Sequence, residues 1–275
     1  FGRRDKMKAF SIHLLFDLKS GLRDKTLLLM NYLFPLSFYL IIGGIMPKLN
    51  PEYNNMLIPS MMIFCILVST VLGMPNGLVT SRNTGIFRSY KINGVPKLSM
   101  LAIPTVSTLL HTTIVTIIIL LSGPIIFKAK LPENILGLIL VFISSSIAFS
   151  GLALLIGTIA DNTSITVIYA QALFLPSMLI GGLMYPSSVL PESLYKLAKL
   201  LPTTYAMDAY QQVTNKGSGT FNPVISIGLL LVSGIISYIL SGYLFRLDNN
   251  NTSKIKNKLW ALGAIMPFVL GTILL

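Results

Sequence analysis

Six apolar runs, each long enough to cross a bilayer and each without Asp, Glu, Lys or Arg in its body, dominate this chain: 26–46, 57–79, 98–127, 135–160, 164–185 and 224–245. Eighteen or more consecutive apolar residues read as a membrane span. Inside hydrocarbon every backbone N–H and C=O must be satisfied within the segment, so each run is expected to be a helix. A soluble helix would be apolar along one stripe only, whereas these runs are apolar all the way round. The charged share, 11%, is less than half of the roughly 25% usual for soluble domains. The expected fold class is all-α: a polytopic membrane helix bundle of six transmembrane helices. A seventh is possible at 259–275, a run of 17 residues that contains Gly263 and Pro267 and follows Lys254, Lys256 and Lys258.

The domain organisation follows. Residues 1–25 form a basic lead-in, 26–247 the six-helix domain, and 248–275 a basic linker with the possible extra helix. Pro35, Pro59, Pro75, Pro104, Pro124 and Pro176 fall within or beside the runs, where neighbouring helices can satisfy the carbonyls they free. Gly43, Gly44, Gly151, Gly157, Gly181 and Gly182 permit close helix approach. The third run is long enough to predict a tilted or protruding helix.

A net charge of +12 would suggest nucleic acid in a soluble protein. Here the basic residues sit between the apolar runs, so no nucleic-acid partner is expected. Alternate connections carry 15 and 6 of the 21 Lys and Arg. The richer set includes the N-terminus and is predicted to be cytoplasmic by the positive-inside rule, which places 186–223 outside. Cys65 lies within an apolar run and reads as a packing residue. The first run lacks a cleavage site, so it is not expected to be a removable signal.

Residues 7–22 set Phe10, Leu14, Leu15, Leu18 and Leu22 at helical spacing among Lys8, Asp17 and Lys19. That predicts a helix lying in the cytoplasmic interface against membrane lipid.

No catalytic constellation is visible. A buried charge is costly and kept for a purpose, and the runs hold none, which weighs against the alternative of an ion-coupled secondary transporter. His111, between Leu110 and Thr112–Thr113, is expected to be a neutral imidazole hydrogen-bonded between helices; His13 is expected to be solvated. Ser144, Ser145 and Ser146 are assigned to interhelical hydrogen bonds. The chain has no P-loop, no His-Glu-x-x-His zinc site and no Gly-x-Ser-x-Gly elbow. It is therefore expected to hold no metal, no catalytic residue and no cofactor of its own.

Two connections carry content. In 80–96, Ile86, Phe87, Tyr90 and Ile92 alternate with Arg82, Arg88 and Lys91, predicting a short surface helix that presents an aromatic knob and ends at Asn93-Gly94 and Pro96. In 185–210, Pro191-Glu192 suits a helix start, and Leu194, Leu197, Ala198 and Leu201 form an apolar stripe. Pro202 is expected to stop that helix, with Thr203 or Thr204 capping a second one that contains Tyr205, Met207, Ala209 and Tyr210.

These segments resemble the permease subunits of type-2 ABC transporters, the drug and antibiotic exporter group. The resemblance covers about 7–247 and rests on Gly181-Gly-Leu-Met-Tyr-Pro186, Leu190-Pro191, Leu200-Leu-Pro-Thr-Thr-Tyr-Ala-Met-Asp-Ala209 and Gly151-Leu-Ala-Leu-Leu-Ile-Gly157. At the cytoplasmic stretch the family's Glu-x-Glu-x-Gly-Thr pattern is replaced by Ser81, Asn83, Gly85 and Ile86, without either acid. The resemblance implies ATP-driven export of a drug, antibiotic, peptide or lipid-like substrate across the bacterial plasma membrane. It also implies a homodimer or a heterodimer with a second permease, and a separate ABC ATP-binding subunit that holds the ATP. By the same resemblance 81–93 is the coupling helix, with Arg82, Gly85, Phe87, Arg88 and Tyr90 as contact residues and Phe87 and Tyr90 as anchors. Pro186, Pro191, Pro202, Tyr205 and Asp208 mark an external re-entrant segment.

Overall fold

The computed structural model describes residues 11–185 apart from 13 and 16, together with 190–214, 221–247 and 258–274. Among the described residues the regular elements are all helical. In chain order they are α1 (the described residues of 11–21), α2 (Lys25–Leu49), α3 (Leu57–Asn83), α4 (Ile86–Ile92), α5 (Lys97–Phe127), α6 (Ile135–Ile159), α7 (Thr163–Ile180), α8 (Glu192–Ala198), α9 (Pro202–Thr214), α10 (Pro223–Leu244) and α11 (Met266–Leu274). Six of them, α2, α3, α5, α6, α7 and α10, are long and apolar enough to cross a membrane. The chain is an all-α, multi-pass membrane protein, as the apolar runs predict.

Short polar side chains start the helices. The Asp24 carboxylate accepts from the backbone N–H groups of Thr26 and Leu27 at 2.8 and 3.1 Å. Asn134, Asn162 and Asn222 do the same for α6, α7 and α10. Each supplies an acceptor to N–H groups that have no partner inside their own helix.

The end of the fifth span differs from expectation. The fifth span ends at Ile180 rather than at residue 185. Gly182 turns the chain with φ +87°, a conformation that costs L-residues with a Cβ. A Cβ on Gly181 would collide with the Thr203 hydroxyl, so this bend and α9 fit against each other only through glycine.

The core is centred on α3, which is almost wholly enclosed by the other helices, whereas α2, α5, α7 and α10 turn most of their surface outward. Leu40, Ile41, Ile117, Leu121, Ile125, Ile168, Leu179 and Ile239 form that outer apolar surface, which suits lipid hydrocarbon. α6 and α10 share an extensive and close contact. A Cβ added at Gly151 would lie 2.8 Å from the Gly234 carbonyl oxygen, the small-residue contact that membrane helices use. Beside it the Ser150 and Tyr238 hydroxyls are 2.6 Å apart.

The serine triplet behaves differently from its expected role. Ser144 donates back to Val141 of its own helix at 3.2 Å, and the Ser145 and Ser146 hydroxyls have no partner among the described residues. Intrahelical back-bonding is available to any helical Ser, so the type of residue alone does not imply a partner helix.

Segment 258–274 is no single long helix: a 3-10 stretch, Trp260–Ala264, precedes α11. It runs antiparallel to α10. Ser233 donates to the Ala264 carbonyl at 2.7 Å, Gly263 lies beside Leu240, and Gly271 lies beside Leu229 and Tyr205.

Candidate functional site

The connection between α3 and α5 is built from the chain outward. Gly85 adopts φ +78° and ψ 10° and starts α4, which closes at Asn93 and Gly94. α3 itself runs on to Asn83, so Ser81 and Arg82 belong to the end of the second span and only 86–92 forms a separate helix. Arg82 is 4% exposed. Its guanidinium donates to the carbonyls of Gly157 and Thr158 at 3.3 and 3.2 Å and also to that of Ala160. These are the last carbonyls of α6, at the negative end of its dipole, where a cation is favoured.

Phe87 faces inward. It is 4% exposed and meets Phe245, just past α10, edge-on with ring centroids 5.1 Å apart; Met74, Leu78 and Met100 complete its surroundings. The expectation that Phe87 anchors an outside partner is therefore corrected: its ring is spent on the chain's own core. Tyr90 is partly buried, and burial, with Asp17 nearby, pushes its hydroxyl pKa up. The residues of α4 on the outer face are Ile86, Arg88, Ser89, Lys91 and Ile92, all exposed.

A carboxylate gathers three segments at this same end. Asp161, in the α6–α7 link, pairs with Lys258 and lies 3.7 Å from Arg246. The end of α10 and the start of the C-terminal segment are thereby held against α6.

Beside α4 lies a cavity of about 460 Å³ walled by α1 to α5. Two stretches of wider helical turn, Leu29–Leu33 in α2 and Val68–Gly73 in α3, reach it. Such stretches recur at functional sites. His111 is 3% exposed and its Nδ1 lies 2.6 Å from the Tyr32 hydroxyl on α2, the interhelical bond expected of it. Its Nε2 has no partner among the described residues, nor have Asn31 Oδ1 and Asn76 Oδ1.

The opposite end holds the second predicted segment. Pro186 lies outside the described residues. Pro191 starts α8, and Pro202 is the first residue of α9 rather than only the stop of the helix before it. Residues 202–210 are all buried, so α9 is enclosed by protein instead of lying on the outer surface. Tyr205 stacks on Phe221 and on Phe268 of α11 at 5.6 and 5.4 Å, and burial raises its hydroxyl pKa. Asp208 accepts from the Phe221 N–H at 3.2 Å and from the Ser226 hydroxyl at 3.1 Å, fastening α9 to the start of α10. Tyr53 donates to the Leu183 carbonyl at 2.9 Å, with its pKa pushed up to about 12 by burial.

Sequence reasoning grouped Arg82 with the loop and missed its role on α6. The unmet carbonyls at a helix C-terminus are a general signal for a cation, but which one answers across 75 positions is a tertiary fact. It also missed the cavity, to which α1 and α5 contribute from distant parts of the chain.

A family model described as ABC-2 type transporter matches residues 9–214. Nodulation protein J of Bradyrhizobium diazoefficiens is 26% identical over 102 residues, 37% of this chain and 38% of that protein, so the match spans well under half of that relative's length. The transport permease YvfS of Bacillus subtilis is 21% identical over 234 residues, 84% of this chain and 94% of that protein. No solved structure matches.

Proposed function

Because the chain belongs to the ABC-2 type transporter family, we propose that this membrane transport permease is the spanning subunit of an ATP-driven exporter, moved by a separate ATP-binding subunit that docks on α4. Family membership implies that partner. The observation that carries the docking site is the setting of α4: a left-handed glycine starts it, Phe87 locks it onto Phe245, and Arg82 just before it grips the end of α6. A push on α4 is thereby delivered to α3, α6 and α10 together. Its outer face offers Ile86 and Ile92, which are 40% and 79% exposed, flanked by Arg88 and Lys91. Apolar anchors with a polar rim are what a docking groove recognises.

In this reading the α4 end is cytoplasmic, following the excess of basic residues there. α1, which exposes Ile12 and Leu15, lies in the lipid interface, and a second permease pairs along the outer apolar surface. ATP is bound and hydrolysed on the partner. The cargo is amphipathic or lipid-like: drug, antibiotic, peptide or lipid. The test is reconstitution with an ABC ATP-binding subunit that co-purifies with it. Ile92→Glu is expected to insert normally and to lose most of the stimulation of ATPase activity by the permease. Full stimulation in that variant would remove α4 from the contact.

A further inference from the structure

Inside a bilayer every carbonyl that a proline frees must be answered by protein, and one such carbonyl places the segment 258–274. Pro267 has no N–H to return to the Ala264 carbonyl. Ser233, halfway along α10, donates to that oxygen at 2.7 Å, and both residues are fully buried. At a watery interface solvent would meet this carbonyl; here a neighbouring span does.

The two ends of the segment lie at opposite ends of the bundle. Lys258 pairs with Asp161, which follows the end of α6, and Arg246, just beyond α10, faces the same carboxylate. Arg82 brings the α4 side to that same end of α6. Further along the segment, Phe268 stacks on Tyr205 of α9 with ring centroids 5.4 Å apart, and Gly271 lies beside Tyr205 and Leu229. α9 sits at the starts of α6 and α10: Asn134 donates to the Val213 carbonyl at 3.2 Å, and Asp208 accepts from the Phe221 N–H. Between its ends the segment passes Leu240, then Ser233, then Leu229 of α10.

Composition and reach fit a crossing. Residues 259–274 contain no Asp, Glu, Lys or Arg. Trp260, Leu262, Ile265, Met266 and Leu270 turn outward, an apolar surface suited to hydrocarbon, where an interfacial helix would show a charged face. An α-helix over 258–274 would reach about 25 Å, short of the roughly 30 Å hydrocarbon core. The 3-10 stretch Trp260–Ala264 rises about 2 Å per residue and lengthens the segment to about 28 Å. Trp260, two residues past Lys258, takes the place of an interfacial aromatic anchor.

We propose that 258–274 is a seventh membrane crossing, a strap that runs from the ends of α6 and α10 to α9 and brings the backbone at Leu274 to the face opposite α4. Lys258 holds the strap at one face and the Tyr205–Phe268 stack holds it near the other. α9 is thereby kept seated on the starts of α6 and α10. The proposal does not rest on the docking reading, because neither nucleotide nor ATPase enters its test.

The test is labelling of single cysteines by a membrane-impermeant maleimide, in intact cells producing the full chain and again after permeabilisation. Cys65 is the only cysteine and is buried, so the parent chain is the blank. Ser89→Cys on α4 and Glu133→Cys between α5 and α6, both exposed positions, report the two faces. Leu275→Cys is expected to share the accessibility of Glu133→Cys and to oppose that of Ser89→Cys. Accessibility shared with Ser89→Cys would overturn the crossing, and so would labelling at neither face. The strap has its own readout, amide exchange of the purified chain. Phe268→Ala is expected to speed exchange over 203–210 by roughly tenfold or more without touching α5, and Phe268→Leu, which keeps the burial without the stack, is expected to fall between. Exchange over 203–210 as slow as in the parent in both variants, or equal acceleration of α5, would overturn the strap.

Discussion

Phe87 on α4 meets Phe245 beyond the end of α10 edge-on, with ring centroids 5.1 Å apart. The contact joins the connecting helix to a span that follows it by more than 130 residues in sequence. Removing a buried Phe costs about 3–5 kcal/mol through lost burial and the cavity left behind. Phe87→Ala is therefore expected to lower the thermal midpoint of the purified protein by several degrees, whereas Ile92→Glu, on the exposed face, leaves it within about 1 °C. Thermal unfolding in detergent separates the two. If Phe87→Ala were as stable as the parent, the ring would not be part of the core.

Gly85 is a backbone requirement rather than a packing one. A Cβ there would meet nothing within 4 Å, yet φ is +78°. Gly85→Ala is thus expected to cost about 1 kcal/mol from conformation alone, and Gly85→Asn, which tolerates this region better, distinctly less. The order Gly, Asn, Ala in thermal midpoint is the measurement; Ala equal to Gly would mean that the turn relaxes.

Much of the architecture is legible in the chain because the bilayer forces it. Apolar length, the caps Asp24, Asn134 and Asn162, and the stop at Asn93-Gly94 are local signals, and the helices follow them. What local signals do not hold is direction. Ile86, Phe87 and Ile92 are all apolar on one seven-residue helix, and only the position of Phe245 decides that Phe87 goes inward. Pro202 reads equally as a stop or as a first-turn residue, and in the structure it is the first residue of α9. The cavity was illegible for the same reason: Asp17, Asn31, Asn76 and His111 are unremarkable polar residues until five helices bring them together.

Asp208 holds two donors on the chain that follows it, the Phe221 N–H and the Ser226 hydroxyl. Hydrogen bonds to a charged group contribute about 1.5–3 kcal/mol. Asp208→Ala is expected to loosen the start of α10, seen as faster backbone amide exchange at 221–226, while Asp208→Asn keeps one acceptor and shows a smaller effect. Unchanged exchange in Asp208→Ala would show that α10 starts independently of α9.

Two pairs of glycines test whether close approach, rather than helix propensity, sets the α6–α10 contact. At Gly151 a Cβ would lie 2.8 Å from the Gly234 carbonyl oxygen, and at Gly234 it would lie 2.7 Å from the Ile147 carbonyl oxygen. Backbone atoms cannot rotate away as a side-chain end can, so Gly151→Ala and Gly234→Ala must push the helices apart, at a cost of about 1–3 kcal/mol. Gly44 and Gly228 sit inside α2 and α10 with nothing within 4 Å of an added Cβ. There alanine only restricts the unfolded chain and improves helix propensity, which favours the folded state by about 0.5–1 kcal/mol. Thermal midpoints are expected to fall for the first pair and to hold or rise for the second. If all four substitutions raised stability, propensity alone would account for these glycines and the close approach of α6 to α10 would lose its physical basis.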